Sequence, residues 1–148
     1  MSASTLSQQS ENTLARSAIN GINGGIVGGI VFGIMMQLQG MIPMVASLVG
    51  SQEVVIGWVV HLLISTFIGA VFGVIASRLA SGWGLTLGAG IINGVVWWVL
   101  GALVLMPLML GMNEMILQVG EMQVNSLIGH VIFGLIAAVV YRLLAQRG

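Results

Sequence analysis

The sequence has no cysteine, no lysine and no aspartate, and only two prolines. The missing cysteine excludes disulfides, thiolate metal centres and iron–sulfur ligation. The missing lysine and aspartate remove every mechanism that needs an amine or a short carboxylate as nucleophile or base. Charge is scarce altogether: four Arg and four Glu make up 5% of 148 residues and leave a net charge of zero. A soluble domain of this size needs about a quarter of its residues charged. Four scattered arginines also cannot form the basic stripe that a nucleic-acid partner requires. What is abundant is apolar surface, at 57% of residues. The chain therefore reads as an all-α, polytopic membrane protein whose constant partner is the lipid bilayer.

Crossing a hydrocarbon core of ~30 Å takes about twenty mostly apolar residues, because the helix rises 1.5 Å per residue and must pair its own backbone. Four segments meet that condition, Ile19 to Met41, Val54 to Ser77, Leu85 to Leu108 and Val124 to Leu144. A tight turn, Ser81-Gly82-Trp83-Gly84, joins the middle two, and longer loops at Val45 to Glu53 and Met109 to Gln123 close the two hairpins. Residues 1–17 are polar, with a single Arg, and lack the pattern of a secretory signal; they read as a retained tail, either disordered or a short surface helix capped by Ser10-Glu11-Asn12. The four-helix domain is then 18–148. Arg16, Arg78, Arg142 and Arg147 all fall on one side of the predicted spans, whereas Glu53, Glu114 and Glu121 fall on the other. Positive residues stay in the cytoplasm during insertion, so both termini are expected there.

The chain reads as one hairpin written twice, about 18–80 and about 84–144. Ile42-Pro43-Met44 is echoed by Met106-Pro107-Leu108, and Phe72-Gly73 by Phe133-Gly134. Two such hairpins would be related by a pseudo-twofold axis along the membrane normal. Glycine, at 22 residues, is about twice as common as usual. Gly21, Gly25, Gly29 and Gly33 recur every fourth residue in span one. Gly69 and Gly73 continue the pattern in span two, Gly90 and Gly94 in span three, and Gly134 in span four. Lipid supplies little hydrophobic drive for helices to associate, so close backbone approach along small residues takes its place. These rows are expected at helix interfaces, within one monomer or, for part of span one, between copies in a homo-oligomer or a larger complex.

Chemistry has few places to reside. His61 and His130 are the only titratable side chains within the spans, and a polar group in hydrocarbon is costly enough to suggest a role. His61 shares a helical row with Gly57, Ser65 and Gly69; His130 shares one with Ser126, Gly134 and Ala138. Both should face other helices at similar depth. Three readings stay open: a hydrogen bond to a neighbouring carbonyl, Gln37 or Asn93 that fixes register; a ligand pair for haem, pigment or metal; or a proton-relay or substrate role. Trp97 and Trp98 lie mid-span, where an indole N–H needs a partner or a bound molecule, while Trp58 and Trp83 fit headgroup anchors. Apart from Met1, every Met falls in the outer half or the outer loops. Met41-x-x-Met44 and Met106-x-x-Met109-x-x-Met112 would align thioethers on one face if the helix persists, which suits monovalent copper, with Met35 and Met36 nearby. Flexible Met also fills irregular cores without any metal. Ser65 with His61 lacks an orienting acid, so enzyme activity is not expected.

The runs Trp97-Trp98-Val99-Leu100-Gly101, Leu105-Met106-Pro107, Ile128-Gly129-His130, Phe133-Gly134-Leu135 and Gly57-Trp58-Val59-Val60-His61 resemble a family of small, uncharacterised bacterial inner-membrane proteins. The resemblance spans all four helices. It implies a bacterial origin and a four-span fold, implies no activity, and adds weight to the His and Trp positions.

The expected function is therefore non-enzymatic: a small subunit or self-associating scaffold, enclosing in one version a lipid, pigment or quinone-like molecule. Two rivals stand beside it. One is a haem- or copper-binding protein using His61, His130 and the outer Met residues. The other is a transporter or channel with Gln37, Asn93 and the two His lining a midplane site.

Overall fold

The computed structural model describes residues 3–79 and 82–147, and these form an all-α fold without strands among them. The helices are α1 (Ala3–Leu38), α2 (Ile42–Ser47), α3 (Val54–Ala76), α4 (Trp83–Trp97), α5 (Met106–Met109) and α6 (Glu121–Ala145), with a π-helical segment, Trp98–Leu105, between α4 and α5. Four stretches are long and apolar enough to cross a membrane: Thr13–Leu38, Val54–Ala76, Trp83–Met109 and Glu121–Ala145. The protein is a small integral membrane protein.

Two local expectations need correction. The polar tail is not separate from the first span, because α1 begins at Ala3 and carries Ser10-Glu11-Asn12 within it. No Gly or Pro interrupts residues 3–17, so the helix has no reason to stop. The turn between α3 and α4 also lies earlier than expected: α3 ends at Ala76, Gly82 is the N-cap, and Trp83 and Gly84 already belong to α4, while Ser81 lies outside the described residues.

The ends of the spans opposite the two termini, here the outer ends, are shaped by glycine and proline. Gly40, Gly50 and Gly111 have φ of 69°, 73° and 71°, a region that costs a side chain steric strain. Each sits just past a helix end. Gly40 N–H reaches Gln37 O at 3.1 Å and Met41 N–H reaches Met36 O at 2.9 Å, and the same pair of bonds recurs at Gly50 with Ser51 and at Gly111 with Met112. That is the Schellman stop, which satisfies carbonyls the helix end would orphan. The two prolines then act differently. Pro43 lies beyond the Gly40 stop and opens α2, whose Ile42, Val45 and Ala46 are buried and whose Ile42 packs on Gly57 of α3. Pro107 lies in a helix that continues, so it cannot donate to Leu103 O four residues back. Leu117 N–H from the outer loop supplies that bond at 3.0 Å, and Leu117 is the one non-glycine described residue with positive φ, at 58°.

Side-by-side order is α3, α1, α6, α4. The contacts are extensive between α1 and α3, α1 and α6, and α4 and α6, but thin between α3 and α4. Glycine explains the close contacts. A Cβ on Gly21 or Gly25 would strike the carbonyl of Gly69 or Ser65 on α3, and one on Gly24 or Gly28 would lie 2.6 Å from Ala137 O or 2.8 Å from Phe133 O on α6. Gly29 and Gly33 face Ser65 and Trp58 of α3, and Gly73 meets the Ser17 carbonyl. On the other side Gly90 meets Gly134 O and Ala138, Gly94 meets His130 O, and Gly134 meets Gly90 O. Both glycine rows of α1 thus meet α3 and α6 of the same chain, as the reading of this seam as packing within one monomer has it. The thin side follows from the same geometry. Facing the opposite hairpin, α1 carries Gly24, Gly28 and Phe32; the positions one residue before Gly90 and Gly94 on α4, and the next turn, are Ala89, Asn93 and Trp97. Larger side chains there keep α4 from closing on α3.

Candidate functional site

The polar groups of the interior gather in the outer half around Phe32 of α1. Its ring meets the His61 imidazole edge-on at a centroid distance of 5.6 Å and the His130 imidazole at 4.7 Å. Gly129 beneath His130 makes room, since a Cβ there would strike the Phe32 ring. Phe32 and Phe133 belong to the main apolar cluster with Met36, Ile42, Val45 and Ile68. A planar ligand held by both imidazoles would have to displace Phe32, so the sandwiched-haem arrangement does not match this packing.

Each imidazole is fixed by a backbone carbonyl rather than by Gln37 or Asn93. His61 Nε2–H donates to Gly29 O at 2.9 Å, across the seam where Gly29 lets α1 approach α3. Ser65 Oγ in turn donates to His61 O at 2.8 Å, so its hydroxyl is engaged by the helix backbone. His130 Nδ1–H donates to Ser126 O at 2.8 Å, one turn back on α6, with Ser126 Oγ 3.3 Å away. These bonds set the tautomers. His61 Nδ1 and His130 Nε2 are then bare acceptors, and neither makes a hydrogen bond among the described residues.

The remaining expected residues are dispersed. Gln37 is exposed at the outer end of α1 and accepts the Trp58 indole N–H at 3.1 Å, while the Trp58 ring meets His61 at 6.1 Å. Trp58 therefore ties α3 to α1 as well as standing near the outer end. Trp98 Nε1 donates to Gln123 O at 2.9 Å, and Trp97 meets Phe67 of α3 edge-on at 5.9 Å. The methionines do not share a face. Met35, Met41 and Met106 pack on the apolar cluster and Met44 is half-buried, but Met109 is 63% exposed. α5 ends at Met109 and the chain turns at Gly111, which puts Met112 beyond the helix that would have aligned it. Among the described residues no three His or Glu side chains form a metal-binding group.

Sequence reasoning passed over Phe32, whose apolar side chain gave no chemical signal, although its spacing from Gly28 and Gly24 placed it on the α6 face. It also left Asn93 as a minor candidate. In the structure Asn93 Nδ2 is buried without a hydrogen-bond partner, as is Arg142 Nε near the inner end of α6. Gly94, next to Asn93, rests against the His130 carbonyl, so the amide and the imidazole stand at one depth. Comparison with family models, curated proteins and solved structures finds no match to this chain.

Proposed function

We propose that the protein is a non-enzymatic membrane subunit or self-associating helical scaffold of the bacterial inner membrane, with both termini cytoplasmic, that holds an apolar ligand of lipid, pigment or quinone type. The observation that carries this reading is where the interior polar groups go. His61, Ser65, Trp58 and Trp98 each bond a carbonyl or amide of their own or a neighbouring segment, an arrangement that fixes helix register and leaves no nucleophile paired with a base. The four Arg at one end of the spans and three Glu at the other support the orientation. The resemblance of the Trp97–Gly101 and Gly57–His61 runs to small bacterial inner-membrane proteins supports the location. With the glycine rows of α1 used internally, a second copy or a partner would dock on the outer faces of α3 or α4, where Val59, Leu63, Ile92 and Val96 are exposed. Native mass spectrometry of protein extracted with its own lipid tests the proposal. The expected result is a complex of fixed stoichiometry, and a monomer with neither protein partner nor retained small molecule would overturn it.

A further inference from the structure

Arg142 is a permanent charge inside a span, since the apolar stretch Glu121–Ala145 ends just beyond it. The row Gly134, Ala138, Arg142 along α6 faces α4: Gly90 lies against Gly134 O and Ala138 Cβ, and Gly94 against His130 O. That antiparallel register carries Arg142 to the level of Gly82 to Thr86, where α4 begins. Trp83, 40% exposed, marks this level as the headgroup boundary. The Arg142 side chain is half-buried, and its Nε is enclosed with no hydrogen-bond partner. Its terminal nitrogens are not enclosed, and they too bond nothing among the described residues, so they open unpaired at the surface.

Among the described residues no counter-charge is at hand. Glu53, Glu114 and Glu121 lie at the opposite end of the spans. Glu11 is at this end, but the register of α1 on α6, Gly24 against Ala137 and Gly28 against Phe133, puts Arg142 level with Ile19, eight residues or ~12 Å along α1 from Glu11. The start of α4 supplies none either, because a helix N-terminus is the positive end of its dipole. Arg16, Arg78 and Arg147 add positive charge on the same side. A guanidinium held there needs an anion from outside the chain. The anion that a bilayer presents at headgroup depth is a phosphodiester, whose oxygens match the planar fork of donors. We propose that Arg142 binds the phosphate of a net-anionic phospholipid, of the phosphatidylglycerol kind, in the leaflet on the side of the two termini. A zwitterionic headgroup carries the same phosphate, but its ammonium meets a surface already positive. The site is separate from the apolar ligand of the proposed function. It holds for either orientation of the chain, because it needs only that this end of α6 reach a headgroup layer.

The test holds the protein in phosphatidylcholine nanodiscs with a rising fraction of phosphatidylglycerol and counts the lipid that stays bound on release by native mass spectrometry. One phosphatidylglycerol per chain should be retained, and Arg142→Gln should weaken that retention about tenfold, the loss of a charge-assisted hydrogen bond. Arg142→Lys keeps the charge without the fork and should fall between the two. Arg78→Gln, at an exposed arginine of the same end, should leave retention unchanged. In maltoside micelles phosphatidylglycerol should raise the thermal midpoint of the parent but not that of Arg142→Gln, and inorganic phosphate should raise neither. Retention by Arg142→Gln equal to the parent's, or phosphatidylcholine held as tightly as phosphatidylglycerol, would overturn the proposal. So would equal stabilisation by inorganic phosphate, which would make this a site for a free anion. Should Arg142→Gln fail to fold, Arg142→Lys carries the test, and binding by it as tight as the parent's would overturn the forked contact. A complex of fixed stoichiometry that retains no phosphatidylglycerol would sink this inference and leave the scaffold reading standing.

Discussion

Replacing Gly25 with Ala adds one methyl within the close seam between α1 and α3. That carbon would strike the Ser65 carbonyl oxygen and lie 2.9 Å from Gly69 Cα and 3.2 Å from Gly69 N, all of them backbone atoms that cannot rotate aside. Ordinary contact begins near 3.4 Å, so the helices must part by at least half an ångström along a seam that also includes Gly21, Gly29 and Gly73. A gap of ~0.5–1 Å forfeits a quarter to a half of each pairwise attraction, and overpacking of this kind costs about 1–3 kcal/mol. The helix-forming advantage of Ala over Gly returns up to ~1 kcal/mol. The net expectation is a loss of about 1–2 kcal/mol. Gly88→Ala on α4 is the matched control, because nothing lies within 4 Å of its added carbon. It should be neutral or slightly stabilising. Reversible unfolding of both variants in the same mixed micelles compares them directly. If Gly25→Ala is as stable as Gly88→Ala, close approach along α1 does not hold these helices together.

Two further outcomes follow from the same geometry. A reporter active only outside the cytoplasm should be silent when fused after Gly148 and active when inserted near Gly50 or Met115; a strong signal from the C-terminal fusion would reverse the orientation and move the methionines to the inner side. In the outer loop, Leu117→Gly keeps the N–H that Leu103 O accepts and relieves a left-handed conformation, so it should stabilise by about 1 kcal/mol, while Leu117→Pro removes the donor and should cost several times that. Hydrogen exchange around Leu103 reports both, and equal behaviour of the two variants would mean the bond bears no load.

The four spans could be read from composition because each is an uninterrupted apolar run of the length a bilayer demands, and nothing in a soluble fold competes with that pattern. The rows Gly21, Gly25, Gly29 and Gly33 were visible as spacing. Which neighbour each row meets was not, because spacing fixes a face but not the helix opposite it. The outer ends were harder. Two similar Ile-Pro-Met and Met-Pro-Leu strings lead to a broken helix in one hairpin and a continuing π-helical one in the other, a difference decided by whether a Gly stop precedes the proline. His61 and His130 stood out by chemistry alone. Their partners did not, since both bond backbone carbonyls, which every residue carries.

The asymmetry between the two hairpins follows from a few side-chain volumes. A strict twofold would make the contact of α3 with α4 as close as that of α1 with α6. Where α1 has Gly24 and Gly28, α4 has Ala89 and Asn93, and at the following position both have an aromatic, Phe32 and Trp97. Phe32 is drawn inside against Gly129, whose missing side chain receives it. Trp97 meets Phe67, itself 59% exposed, and stays half-buried on the flank. The thinner contact of α3 with α4 is thus a matter of side-chain volume: Phe32 enters the space that Gly129 leaves, whereas Trp97 packs on the edge of the core cluster and meets Phe67.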